Sequence, residues 1–299
     1  MHIPVMAAEA IEYLAVRPEG EYLDATAGLG GHTAEIAKRL TTGIVIASDR
    51  DAESLELARK NTAEWAGRIR FQQARFSELK GIQVDGLLAD LGSSRYQLTD
   101  PSRGFSILSD GPLDMRMDRT SGMTAGDLIN TSAEKAIADL VYQLGGERSA
   151  RRIARAIVRA RPIRSTRHLA EVIERAVPRT GRLHPATRTF MALRMAVNQE
   201  QQELDALLEA VPDLVKDGGR VVMISFMSLE DRKVKWAFRE LERAGRASVL
   251  TKRPVEPSEQ ERQANPASRS AKLRALEMHE QAVPQGGARP GLQAISGLP

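Results

Sequence analysis

The chain has 299 residues, 42% hydrophobic and 27% charged, which suits a soluble globular protein of one large domain or two. It contains no cysteine, which excludes disulfides, thiolate zinc sites and any cysteine nucleophile. A formal net charge of +4 leans mildly towards polyanionic partners. No apolar run approaches the roughly 20 residues of a membrane span, and residues 1–6 lack the blocks of a signal peptide. A cytoplasmic protein without membrane contact is therefore expected.

Residues 9–14 read as a short helix, and Pro18-Glu19-Gly20 turns the chain into a strand at residues 22–25. Thr26-Ala-Gly-Leu-Gly-Gly-His32 then forms a glycine turn that opens a helix over residues 33–40, with Gly43 as its C-cap. A strand, a glycine turn and a helix N-terminus leave backbone N–H groups and open space for a nucleotide-like ligand. Gly28-x-Gly30 alone is weak evidence, and an ordinary strand-to-helix turn is the lesser alternative. Residues 44–47 form a second parallel strand ending at Asp49, near the spacing at which mononucleotide-binding sheets hold ribose hydroxyls. Asp51 begins the next helix. Residues 69–72 and 84–91 give a third and a fourth strand, so the sheet presents Asp24, Asp49, Phe76 and Asp90 at its tips. Phe76 is either core or a stacking platform for an adenine.

From residue 100 the periodicity disappears into turn residues and mixed charge, a stretch whose specific polar residues favour function. Residues 124–210 then read as helix after helix: 132–144, 147–160, 166–176 with Thr166 as N-cap, and a helical pattern through 185–210. Strand signals return at 220–224, followed by a helix to residue 242 with Ser228 and Asp231 at capping-box spacing, and a closing strand at 269–277. Residues 284–299 read as a disordered tail. The division expected is a discontinuous α/β domain, 1–100 and 212–283, interrupted by a loop and helical insertion at 101–211.

The insertion holds the charge. Between Arg148 and Arg194 stand thirteen Arg and no Lys against Glu171 and Glu174, a local balance of +11 that leaves the remainder acidic. Arg148, Arg152, Arg155 and Arg159 recur at helical steps opposite Ile153 and Ile157, and Arg188 extends the basic segment. Unpaired arginine at this density repels itself unless an anion is near, and nucleic-acid phosphate is the economical partner.

A nicotinamide or flavin turn would have a third glycine where Thr33 stands, and a Walker loop would have Gly-Lys-Ser/Thr. Asp24-x-Thr26-x-Gly28-x-Gly30 with an acid after the second strand suits S-adenosylmethionine (SAM) better, since SAM has no phosphates, a ribose and a polar amino-acid end. Beside an arginine-rich insertion, such a site suggests a nucleic-acid methyltransferase. Without cysteine, methylation at cytosine carbon 5 is excluded. An exocyclic amine, a ring nitrogen or a ribose oxygen needs only in-line alignment. Asp90 is placed to accept an amine N–H, with a structural cap as its alternative role.

Several runs are specific: Gly28-Leu-Gly-Gly-His32, Asp90-Leu-Gly92, Gln97-Leu98, Arg103-Gly-Phe-Ser106, Asp110-Gly-Pro-Leu-Asp-Met-Arg-Met-Asp118, His184-Pro-Ala-Thr-Arg-Thr-Phe190 and Ser228-Leu-Glu-Asp-Arg232. From His2 to about Glu277 the chain resembles the RsmH/MraW family of small-subunit (16S) ribosomal RNA cytosine-N4 methyltransferases. The resemblance implies a class I SAM-dependent methyltransferase fold with an inserted all-helical substrate domain. It further implies methyl transfer to N4 of a decoding-centre cytidine, with small-subunit RNA or the assembled small subunit as partner. SAM contacts fall by motif position on Gly30, Gly31, His32, Asp49, Phe76, Asp90 and Gln97, so SAM competes for Asp90 with the amine. The chain departs from the family pattern at Arg95 (usually Ser), Met191 (Gln), Met227 (His) and Gln201 (Leu). Losing the His removes a group that titrates near neutral pH. The alternative reading is therefore a SAM- and RNA-binding member with altered substrate or without catalysis. Asp110, Asp114 and Asp118 read as turn formers and partners of Arg116, and no metal is expected. The oligomeric state is left open.

Overall fold

The computed structural model describes residues 4–179 and 183–279; the tail at 284–299 lies outside them. The α/β part runs α1 (Ala7–Leu14), β1 (Glu21–Asp24), α2 (Gly31–Ala37), β2 (Ile44–Asp49), α3 (Ala52–Asn61), β3 (Ile69–Gln73), β4 (Val84–Asp90) and α4 (Arg95–Thr99). Then come α5 (Ala125–Thr131), α6 (Glu134–Gln143), α7 (Ala150–Ala160), α8 (Thr166–Ala176), α9 (Thr187–Val197) and α10 (Glu200–Leu214). The chain returns through β5 (Val215–Ser225), α11 (Ser228–Arg243), β6 (Ala247–Val249), α12 (Glu259–Ala264) and β7 (Lys272–Met278).

Among the described residues the strands form one sheet in the order β3-β2-β1-β4-β5-β7-β6. The first five are parallel, and β7 enters antiparallel between β5 and β6. Both faces of the central strands are covered, which is why Leu87, Leu88, Val221 and Val222 make uninterrupted apolar runs. Leu88, Val222 and Val45 face α1 and α2 through Leu14 and Ile36. Leu87, Val221 and Met223 face α10 and α11 through Leu207, Val211, Val234 and Phe238. Strand order reverses between β1 and β4, and an open sheet parts into a crevice there, beyond its carboxyl ends. Asp24, Asp49 and Asp90 end three neighbouring strands at that crevice.

Helices α5–α9 surround a separate apolar cluster that includes Ile137, Val141, Ile153, Ile157, Leu169, Ile173 and Leu193. The aperiodic stretch after residue 100 is packed rather than loose: Phe105, Leu113, Met115 and Met117 belong to this cluster. α10 does not. Its Leu204, Leu207, Leu208 and Val211 pack on the sheet, so the helical unit as folded ends before residue 200, short of the expected 211.

Several expected ends differ. α2 stops at Ala37, and Gly43 is no C-cap; a Cβ there would stand 2.2 Å from the Gly20 carbonyl oxygen, so close backbone approach demands glycine. The N-cap of α8 is Ser165, whose Oγ accepts from the His168 N–H (3.3 Å), while Thr166 Oγ1 donates to the Ser109 carbonyl (2.9 Å). In α11 the capping carboxylate is Glu230, which accepts from the Phe226 and Met227 N–H groups, not Asp231. The helical pattern of 185–210 is broken at Asn198-Gln199, where Gln199 takes φ 51°.

Ile157 is fully buried where α7 meets the helical cluster. Ile157→Ala is expected to destabilise that unit by about 2–5 kcal/mol through lost transfer energy and an unfilled cavity, measured by urea denaturation.

Candidate functional site

The glycine turn shapes one side of the crevice. Gly30 is the left-handed N-cap of α2 (φ 86°), and a Cβ there would press to 2.7 Å from the Thr62 methyl group. Both constraints require glycine, and they set Gly31 as the first residue of α2. Asp49 is tied to the turn. Its Oδ2 accepts from the Gly28 N–H (2.8 Å) and its Oδ1 from the Asp51 N–H (2.9 Å). Burial pushes its carboxyl up to about 6, against these two hydrogen bonds and with added repulsion from Asp51 and Asp24. Asp24 is wholly buried beneath the turn, accepting from Thr33 Oγ1 (2.6 Å) and the Thr26 N–H (3.2 Å), and burial also lifts it to about 6. It supports the turn from below and is not presented at the tip, as the sequence suggested.

Asp90 ends β4, with its N–H donated to Thr26 Oγ1 (2.6 Å). Its side chain is 23% exposed, yet Oδ1 is buried without a hydrogen-bond partner. Burial raises this carboxyl well above the usual range, and repulsion from Asp24 and Glu230 adds to the rise. His32 lies beside it, Nδ1 3.9 Å from Asp90 Oδ2. His32 is buried and pushed down to about 4, so it is neutral and forms no ion pair; Nε2 donates to the Val5 carbonyl (2.9 Å). Phe76 follows β3 in a single 3₁₀ turn and packs, partly buried, against the α10 side of the sheet.

Gln97 is buried and its side chain is committed to neighbours. Oε1 accepts from the Ser94 N–H (3.0 Å) and Nε2 donates to Asp51 Oδ2 (2.8 Å). The same Asp51 oxygen accepts from the fully buried Arg103 (2.8 Å), which also reaches Glu53 Oε2 (3.0 Å) and the Arg116 and Met117 carbonyls. Burial opposes the charge on Arg103, but Asp51 and Glu53 outweigh it and hold its pKa above the ordinary value. Sequence reasoning gave Arg103 no role; the run Arg103-Gly-Phe-Ser106 was its one signal. Asn198, also missed, bonds the Met115 carbonyl (2.7 Å), the Met117 N–H (2.7 Å) and the Arg194 carbonyl (2.9 Å).

The helical unit and the crevice meet at Arg194. It makes a bidentate pair with Glu200 (2.8 Å for both bonds), donates to Ser93 Oγ (2.9 Å) and stands 4.0 Å from the Met227 thioether. Ser93 follows the β4 tip and Met227 the β5 tip, so this cluster lies beyond the paired strand ends that carry Asp90 and Ile224. Glu230, below Met227, is lifted above its ordinary value by burial.

The arginine stripe is only partly as expected. Arg148 precedes α7 and is not on the helix. Arg148, Arg152, Arg155, Arg159 and Arg188 are all exposed. Two are not free: Arg155 lies 3.6 Å from Glu134, and Arg188 3.7 Å from Glu147. The side chains of Arg148, Arg151, Arg152, Arg159 and Arg164 have no partner among the described residues. Of the three loop acids expected to partner Arg116, Asp114 does (2.7 Å), whereas Asp118 stands 3.6 Å from Arg75 and Asp110 3.9 Å from Arg167.

The MraW methylase family matches residues 1–279. A Solibacter usitatus protein named ribosomal RNA small subunit methyltransferase H is 66% identical over 285 residues, 93% of this chain and 100% of that protein. Proteins of the same name from Acidobacterium capsulatum and Koribacter versatilis are each 49% identical over 92% of this chain, covering 98% and 93% of their own lengths. The chain belongs to the MraW methylase family. Of the residues expected to depart from the family pattern, Met227 touches the Arg194 cluster, Arg95 is exposed on α4, and Met191 is half-buried on α9. Gln201 is half-buried and its side-chain amide has no partner.

Two outcomes follow from this methylase's crevice. Arg103→Ala leaves Asp51 buried and uncompensated, so it should cost about 3–5 kcal/mol in denaturant titrations. Asp49 has a folded pKa of about 6 against 3.8 unfolded, so its contribution is full below the lower value and lost as pH rises through the upper one. Melting of the ligand-free protein should therefore show wild type gaining on Asp49→Asn as pH is lowered from about 7 to about 5.

Proposed function

We propose that the chain is a SAM-dependent ribosomal RNA methyltransferase. Its target in this reading is the exocyclic N4 of a decoding-centre cytidine in small-subunit (16S) RNA, methylated by direct in-line transfer. The observation that carries the reading is Asp90: a strand-tip carboxylate, partly exposed at the crevice, whose Oδ1 has no hydrogen-bond partner among the described residues. The name shared by the relatives supports the RNA substrate.

The crevice fits SAM. Asp49 uses one acceptor site on each oxygen for Gly28 and Asp51, and a carboxylate offers about four, so it keeps room for two ribose hydroxyls. Gly30 and Gly31 let the turn pack closely on Thr62 and Pro4, and neutral His32 adds no competing positive charge. Phe76 stands at the β3 end where an adenine would lie. Gln97 acts indirectly in this reading, holding Asp51 and thereby the β2 tip. When bound, SAM supplies an electrophilic methyl on a sulfonium.

An exocyclic cytosine amine is a poor nucleophile because its lone pair is delocalised into the ring. Accepting one N–H at the exposed side of the Asp90 carboxylate localises that pair, and the positive charge of bound SAM would favour the ionised form against its burial. No covalent adduct is required, consistent with the absence of cysteine. The helical unit, residues 101–199 in this reading, receives the RNA. Arg148, Arg152 and Arg159 offer free guanidinium groups to phosphates, and Arg155 and Arg188 exchange their Glu134 and Glu147 partners for them.

Mass spectrometry of small-subunit RNA from cells with and without the protein should show N4-methylcytidine only in its presence. Label appearing instead in ribose, at carbon 5 or in protein would overturn the assignment. SAM binding without turnover on RNA or on immature subunits would favour a non-catalytic member. Arg152→Glu with Arg155→Glu should weaken RNA binding with SAM affinity unchanged. Asp49→Ala should do the reverse, costing about 1–3 kcal/mol of SAM affinity by calorimetry.

A further inference from the structure

α11 leaves the β5 tip, next to the β4 tip that ends in Asp90, and buries Glu230, Val234 and Phe238 against the sheet. Its other side carries Arg232, Lys235, Trp236 and Arg239, about one to three turns along from its strand-tip end. Trp236 is 49% exposed, a large ring left in water on a helix with ample apolar surface beneath it. Arg232 and Arg239 stand four residues before it and three after, so both flank the ring on the helix surface. Beside them, between α11 and the segment after β6, opens a cavity of about 270 Å³ lined by Lys235, Phe238, Arg239, Glu242, Lys252 and Arg274.

The local charge is not balanced. Arg274 and Lys272 share Asp231, at 2.7 and 3.8 Å. Glu242 Oε1 accepts from the Val249 N–H (3.0 Å), Glu240 pairs with Arg243, and Lys233 pairs with Asp205. The side chains of Arg232, Lys235, Arg239 and Lys252 have no hydrogen-bonding or ionic partner among the described residues. Four free cations, on the helix that exposes the indole and in the cavity beside it, combine phosphate attraction with a face on which an unpaired base can stack. A duplex would offer the phosphates but no open base for the ring.

We propose, resting on the ribosomal RNA reading above, that the α11 face around Trp236 and the adjoining cationic cavity bind a single-stranded stretch of the substrate RNA flanking the target cytidine. Trp236 stacks on a base, and Arg232, Lys235, Arg239 and Lys252 take successive phosphates. The RNA is then gripped on two sides of the crevice, by the helical unit and by the methyltransferase sheet's own helix.

Filter binding of a small-subunit RNA transcript over a salt series tests this. Trp236→Ala should weaken binding about ten-fold, and Trp236→Phe should restore most of it. The triple variant Arg232→Ala, Arg239→Ala, Lys252→Ala should flatten the salt dependence by about 0.7 in slope for each single-strand phosphate it no longer neutralises. SAM affinity and melting temperature should stay at wild-type values in each. If these variants bind RNA as wild type does while Arg152→Glu with Arg155→Glu binds weakly, the α11 inference fails and the proposed function stands; a docking face for a protein would give this result. Weaker RNA binding accompanied by a lower melting temperature, and not restored by Trp236→Phe, would mean a folding role and overturn it too. Wild-type protein with no affinity for the RNA would overturn both readings.

Discussion

Arg103 brings a positive charge to a position closed to water, and much of the architecture around the crevice exists to hold it there. An isolated charge in such a place would cost many kcal/mol, so its partners must be fixed before it can be buried. Asp51 is the central one. It also caps α3 through the Glu53 and Ser54 N–H groups, lends its N–H to Asp49, and takes Gln97 from α4. One carboxylate thus joins the β2 tip, the segment after β4, and the start of the helical unit, where Arg103 also holds the Arg116 and Met117 carbonyls. Asn198 repeats the device from the opposite side, clamping Met115 and Met117 to the end of α9. The helical unit is therefore attached to the crevice by buried polar bonds, which fix orientation more sharply than an apolar contact would.

The crevice that results is electrostatically unusual. Asp24, Asp49 and Asp90 stand on three strand ends with their charges disfavoured by burial and by one another. Where these carboxylates are ionised, such an edge disfavours a pyrophosphate even though the turn resembles that of dinucleotide sites. A cationic ligand relieves the same repulsion. His32, the one base beside Asp90, is held neutral and does not relieve it. Selectivity between nucleotide-like ligands thus rests as much on the sign of the charge at the strand tips as on the missing third glycine.

The sheet was legible in the sequence because burial on both faces produces apolar, β-branched runs that little else produces. Element ends were less so, since they are set by distant atoms. Gly43 is glycine because of Gly20, and the α9–α10 break follows from what Asn198 bonds some 80 residues away. Periodicity showed that α10 has an apolar face but not which core receives it, so its assignment to the insertion was open to error. The local charge count found the basic segment, yet Glu134 and Glu147 lie just before it, and their pairing with Arg155 and Arg188 depends on how α6 and α7 pack. Arg103 was the hardest to place. An arginine in a polar, aperiodic stretch is ordinarily solvated, and nothing local marks this one as fully buried.

Charge is sorted by depth in this protein. Carboxylates gather at the buried strand ends, while guanidinium groups without partners lie outside, on α7 and around α11. A protein handling only a small cation would need the first arrangement alone, and a non-specific polyanion binder only the second. With both, a phosphate backbone is attracted to the perimeter and held off the acidic crevice by the same field that favours a cation within it. A base reaching the crevice must therefore leave its own stack and turn away from its backbone. That geometry suits an unpaired nucleotide, and it gives the exposed ring of Trp236 a neighbour to stack on when that nucleotide is turned inward.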